Sequence, residues 1–160
     1  MSRVKCRVSI ATHVLGGAFL CAVLAACSVT KKVTSAFGGQ LPVQVQIADD
    51  ANEDSPIAFD TVIVYDKDLV EALLKMSAND WFAKKKQFIA DHQSDVAVQS
   101  WEWVPGQIVE PLSIDYRPGA KKVVLFAYYQ TEGDHRAVIQ PRQPAKIVFN
   151  DREFSVEAQQ

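Results

Sequence analysis

Residues 43–65 read VQVQIADDANEDSPIAFDTVIVY. Val43, Val45 and Ile47 alternate with Gln44 and Gln46, the two-residue period of a strand with one buried face. Phe59 to Tyr65 is a run of β-branched and aromatic residues interrupted only by Asp60, which reads as a second strand. Between them the chain runs from Ala48 to Pro56 through Asp49, Asp50, Glu53 and Asp54, too polar for an element and closed by a proline. Two strands joined by a short polar connection set the register of everything that follows.

After Tyr65 the period changes. Leu69, Leu73 and Met76, with Val70 and Leu74, fall on one helical stripe, and Asp68-x-x-Glu71 offers an N-cap and N3 pair. Ser77-x-x-Asp80 is a second start signal, ahead of Trp81-Phe82 and Phe88-Ile89. Residues 67–91 therefore read as a helical pair or a broken helix. Strand patterns then return. Val96, Val98, Trp101 and Trp103 mark one, with a bulge expected because 98 to 101 breaks the two-residue period. Pro105-Gly106 turns the chain. Ile108 to Tyr116 forms a further strand with Pro111 at an edge or bulge. Val123 to Tyr129 is the most apolar and therefore central. Ala137–Ile139, Ala145–Phe149 and Glu153–Val156 complete the set, the last two joined by Asn150-Asp151-Arg152.

Seven or eight short strands with turn signals at close spacing predict a mainly β fold, a two-sheet β-sandwich. A small helical insertion lies between strands 2 and 3. No strand–helix alternation supports a parallel α/β sheet.

The N-terminus reads differently. Arg3, Lys5 and Arg7 precede an uncharged stretch from Val14 to Ala26. About 13 residues is short of the ~20 that cross a bilayer, and the pattern is that of a secretory signal. Leu24-Ala25-Ala26-Cys27 resembles a bacterial lipobox, which implies cleavage before Cys27 and diacylglycerol on its thiol. Two or more acyl chains anchor stably where one does not. Ser28 stands where an Asp resembles an inner-membrane retention signal, and this implies sorting to the outer membrane. The expected organisation is a signal peptide over 1–26, a lipidated flexible tether over 27–41, and a β-sandwich domain over 42–160. A tether of that length has an r.m.s. span of about 20 Å.

The whole chain has 160 residues and a net charge of −2. Loss of Arg3, Lys5 and Arg7 leaves the remainder more acidic, a poor match for nucleic acid. Of the three cysteines, Cys6 and Cys21 lie in the signal, so Cys27 has no partner for an intramolecular disulfide. No nucleophile elbow, P-loop, dinucleotide fingerprint or zincin motif occurs, and no enzyme is expected. His92 and His135, each beside an aspartate, are read either as surface residues at element ends or as a pair that could share a metal. Asp50-x-Asn52-x-Asp54 matches the opening of a calcium loop, but Ser55 stands at its glycine position and Thr61 at its bidentate glutamate. The commoner reading of the same loop is a solvated one, and the sharper reading is a negative patch that docks a partner. Lys84-Lys85-Lys86 reads as a solvated helix face, or as one that orients the domain against a partner or a membrane. Trp81, Trp101 and Trp103 read as packing residues.

The order of these features resembles the outer-membrane lipoprotein family of the type VI secretion system (TssJ, also called SciN), of which the chain would be an ordinary or a divergent member. It has a lipobox, then a first strand followed by an Asn52-containing loop, Pro56 and the strand end Val62-Ile63-Val64-Tyr65. A helical insert with Trp81-Phe82 is followed by the Pro105-Gly106 turn before Leu112. A late Phe126-Ala127-Tyr128-Tyr129 precedes His135-Arg136. The resemblance implies a transthyretin-like sandwich and a structural role without a cofactor beyond the covalent lipid on Cys27. It further implies docking of the periplasmic domain of an inner-membrane TssM-like protein at the outer membrane. The contact it implies is the loop Asp49, Asp50, Ala51, Asn52, Glu53, Asp54 and Ser55. The residues also suit a lipid-anchored periplasmic binding module or an inhibitor of an envelope enzyme.

Overall fold

The computed structural model describes residues 38–159. The expected signal peptide, Cys27, Ser28 and most of the tether lie outside these residues. Eight strands form two four-stranded sheets: β1 (Gly39–Ile47), β2 (Ile57–Val64), β3 (Val96–Trp103), β4 (Leu112–Tyr116), β5 (Lys122–Ala127), β6 (Arg136–Ile139), β7 (Ala145–Phe149) and β8 (Phe154–Ala158). One sheet has the order β4-β1-β7-β8 and the other β3-β2-β5-β6. Neighbours are antiparallel, except that β1 and β7 run parallel. Two helices between β2 and β3, α1 (Lys67–Leu73) and α2 (Ala78–Asp91), occupy the expected insertion.

The sandwich core is built from alternate residues of both sheets. Leu41, Val43 and Ile47 of β1 face Phe59 and Ile63 of β2, with Leu125, Ile147 and Phe149 closing the layer. The other parity of β2 and β5 is also apolar. Val62, Val64, Val124 and Phe126 pack under Leu73 of α1 and Trp81 of α2. The near-continuous apolar run in β2 is thereby explained: a strand covered on both faces has no solvent side to keep polar. The helical insert is a third layer over the second sheet.

Asp60 is the exception in that run. It is only 1% exposed and points into the helical layer. Its Oδ2 accepts from the Trp81 indole Nε1 at 2.8 Å and from Lys85 Nζ at 2.8 Å. The Trp81 ring lies flat against Phe126, with centroids 5.1 Å apart. One carboxylate thus fixes both the register and the rotation of α2. Lys85 is the middle residue of the lysine run, so that run is not a uniformly solvated face. Lys84 pairs with Asp80 one turn back at 2.8 Å, and Lys86 is exposed. Ser77 and Asp80 close a reciprocal capping box at the start of α2. The Lys84 ammonium and the Ser77 hydroxyl hold the Asp80 carboxyl below its ordinary value.

Four expectations are corrected. β1 begins at Gly39, so residues 39–41 belong to the sheet, and Leu41 is fully buried. Tyr116 packs so closely over Gly39 that a Cβ there would lie 2.5 Å from its hydroxyl, which explains the glycine better than flexibility does. The cap of α1 is Asp66, whose side chain accepts from the Asp68 amide at 2.7 Å, not Asp68. β3 pairs with β2 without a bulge from Val96↔Val64 to Trp103↔Ile57. Its apolar residues change parity because Val96 and Val98 face the helices while Trp101 and Trp103 face the sandwich core. Residues 108–111 are not a strand; only Leu112–Tyr116 pairs, at a sheet edge.

Removing the Asp60 carboxylate leaves the buried Trp81 indole N–H unpaired, while Lys85 keeps partial access to water. Asp60→Ala is expected to destabilise the fold by about 2–3 kcal/mol in urea unfolding monitored by tryptophan fluorescence. A loss below ~0.5 kcal/mol, the scale of an exposed pair, would show that the helical layer is held by apolar packing alone.

Candidate functional site

Four connections meet at one end of the sandwich: 48–56 between β1 and β2, 104–111 between β3 and β4, 128–135 between β5 and β6, and 150–153 between β7 and β8. The described chain enters at the opposite end, where Gly39 pairs with Tyr116. β1 joins the two ends and its nine residues span about 30 Å.

The acidic connection is not a loose loop. Ala51–Asp54 forms one left-handed turn, with φ of +53° at Asn52, +53° at Glu53 and +59° at Asp54. Left-handed backbone costs an L-residue roughly 1–2 kcal/mol, least for Asn and Asp. Three successive positions of this kind need outside support, and Asn52 provides it. The residue is fully buried. Its Oδ1 accepts from the Gln130 amide at 2.7 Å, and its Nδ2 donates to the Pro56 carbonyl at 2.9 Å and the Ser55 carbonyl at 3.4 Å. The backbone amides of Asn52 and Glu53 donate to the carbonyls of Asn150 and Asp151, each at 3.1 Å. Gly106 donates its amide to Ala48 at 2.9 Å, so the 104–111 connection is tied in as well.

A second knot lies beside the first. The Tyr129 hydroxyl donates to the Asn150 carbonyl at 3.1 Å. Burial raises its pKa well above the ordinary tyrosine value. The ring of His135 stacks on Tyr129 at 4.8 Å, and its Nε2 lies 2.9 Å from the Thr131 carbonyl. That distance puts a hydrogen on Nε2. Thr131 donates its hydroxyl to the Arg152 carbonyl at 2.7 Å. Between these segments lies an open cleft of about 530 Å³, lined by Thr131–Arg136 and Arg152–Phe154.

The seven loop residues singled out in the sequence therefore divide. Ala51 and Asn52 are buried and hold the loop's shape. Asp49, Asp50, Glu53 and Asp54 are exposed and Ser55 is half-buried. Glu53 pairs loosely with Arg152 at 3.6 Å. The buried role of Asn52 is not evident from the sequence; its one signal is an Asn among the acidic residues of a strand connection, since Asn tolerates left-handed backbone. His92 follows the end of α2, against Phe88. His135 lies at the loop end, so the two stand at opposite ends and share no site. No cluster of three or more metal-ligating side chains occurs among the described residues. Trp103 stacks on Phe59 and on Trp101 inside the sandwich, and Trp101 lies tilted against Phe59.

Compared by sequence, the chain matches no protein-family model and no curated protein. Compared by fold, it is similar to the type VI secretion lipoprotein TssJ1 from Pseudomonas aeruginosa. The TM-score is 0.56 at 14% identity, over 77% of this chain and 98% of that one. It is similar to Serratia marcescens Lip, a membrane-bound component of the type VI secretion system, with a TM-score of 0.57 at 12% identity over 77% and 99% of the two chains. A chain of a type VI membrane complex matches with a TM-score of 0.55 at 12% identity, over 74% and 98%. The fold is thus shared with those proteins across almost their whole length.

Asn52→Ala removes the acceptor for Gln130 and both donors to 55–56, and leaves a left-handed position without Asn. The expected cost is about 2–4 kcal/mol, with faster hydrogen exchange at Gln130, Asn52 and Glu53. Unchanged exchange at Gln130 would mean that the backbone alone holds the loop.

Proposed function

We propose that this chain is a lipoprotein, acylated at Cys27 and sorted through Ser28 to the periplasmic face of the outer membrane. Its loop end docks the periplasmic domain of an inner-membrane TssM-like protein of a type VI secretion system. The role is structural rather than catalytic and needs no cofactor beyond the lipid. The observation that carries the reading is the rigid acidic end: four exposed carboxylates on a turn whose shape is fixed by buried Asn52. Support comes from the lipobox at Leu24–Cys27 and from the likeness of fold to TssJ1 and Lip.

The geometry is consistent with such a bridge. The described chain enters the sandwich at Gly39, and β1 carries it to the acidic end about 30 Å away. A fixed negative patch steers a basic surface and sets its register, acting mainly on the association rate. Because the turn is already formed, docking orders little new chain, which lowers the entropic cost of association.

Exchanging Asp49, Asp50, Glu53 and Asp54 together for Lys is expected to slow association with that periplasmic domain by tenfold or more and to invert its salt dependence. The melting temperature should stay within a few degrees, because exposed charges contribute little to folding. The measurement is surface plasmon resonance at two ionic strengths. An association rate equal to wild type would return the loop to a merely solvated role.

A further inference from the structure

Among the described residues, two large apolar side chains stand out in exposure, and both lie in the 104–111 connection. Ile108 is 92% exposed and Val104 52%, whereas Leu74, Tyr128 and Val138 reach only 38–39%. The segment that carries them is pinned. The Val104 amide donates to Gln107 Oε1 at 3.1 Å and the Gln107 amide returns to the Val104 carbonyl at 3.1 Å. Gly106, at φ +69°, donates to Ala48. Its Cα faces the Asp49 carboxylate so closely that a Cβ would meet it at 2.7 Å. Val109, the next residue after Ile108, packs against the sandwich core. The fold thus holds an isoleucine out in water between two anchored neighbours, beside the acidic turn.

We propose that Ile108, flanked by Val104, is the apolar anchor of the docking surface. It would insert into a hydrophobic pocket on a protein partner whose rim carries Lys and Arg to meet Asp49, Asp50, Glu53 and Asp54. This inference rests on the docking role proposed above and names the residue that holds the complex once charge has brought it together. Interfaces concentrate their energy in a few desolvated anchors ringed by polar contacts. A β-branched side chain on a pinned turn enters a pocket with little rotamer freedom left to lose. The charge complementarity selects a basic protein surface over a membrane. Four carboxylates next to the anchor are repelled by an anionic leaflet, and this end lies opposite the entry of the chain.

The test uses the full chain in detergent, with the periplasmic domain of the inner-membrane secretion protein from the same cell as probe. Ile108→Ser is expected to raise Kd tenfold or more through faster dissociation, with the salt dependence and melting temperature unchanged. Ile108→Val should stay within about threefold of wild type. A Kd for Ile108→Ser within twofold of wild type overturns the anchor and leaves the docking role intact. Failure of the wild-type chain to bind the probe overturns the docking role and the anchor with it. The Cys27→Ser chain, which lacks the acylation site, supplies the last arm. If Ile108→Ser abolishes its partition onto neutral phosphatidylcholine vesicles while Kd for the probe is unchanged, Ile108 is a lipid-inserting residue and the protein anchor is overturned.

Discussion

The carboxamide of Asn52, closed off from solvent and bonded to Gln130, Ser55 and Pro56, sets the conditions under which this end of the sandwich has a shape. Without it, three consecutive left-handed residues would have no reason to persist. The amides of Asn52 and Glu53 would then lose their alignment with the β7–β8 connection. With it, connections from both sheets become one surface, tied by side-chain and backbone bonds rather than by a shared strand. Hydrogen bonds of this kind contribute modestly when made and cost much more when one partner is left buried and unpaired. That asymmetry favours a single loop geometry over a family of them.

The same logic governs the other side of the second sheet. β2 and β5 are covered on both faces, which is unusual for an antiparallel strand. The helical insert supplies the second cover. Asp60 places a carboxylate in that dry layer, and its two donors come from successive turns of α2. The helix cannot slide or rotate without stranding a charge. A rigid frame results behind the acidic turn, and Arg136 extends it. Its guanidinium bonds the Met76 carbonyl ahead of α2 and pairs with Asp134 at 3.0 Å. The elements behind the loops are therefore as fixed as the loops themselves.

Much of this architecture was legible in the residues. Alternation in 43–47, the apolar density of 59–65 and 123–129, and the Ser77–Asp80 box mark their elements because each is a local pattern with a local cause. The errors came where tertiary contacts decide. The change of apolar parity in β3 suggests a bulge, but the strand simply has a helix on one face early and a sheet on the other late. Ile108 and Val109 suggest a strand over 108–111. In the fold Val109 turns inward and Ile108 outward, with no partner strand for either. Asn52 looked like one more polar loop residue, and its burial depends on Gln130, 78 positions away. No local signal reports such a partner. The acidic character of the turn was plain in the sequence; its rigidity was not.

In the function proposed above, a fixed acidic end joins this chain to an inner-membrane protein. The most direct measurement is affinity capture of the intact chain from gently solubilised envelopes, with mass spectrometry of what accompanies it. The account predicts co-purification of a large single-pass inner-membrane secretion protein in stoichiometric amount. Recovery of a soluble envelope hydrolase in its place would contradict it. The fold would then be one shared with the secretion lipoproteins but put to a different use.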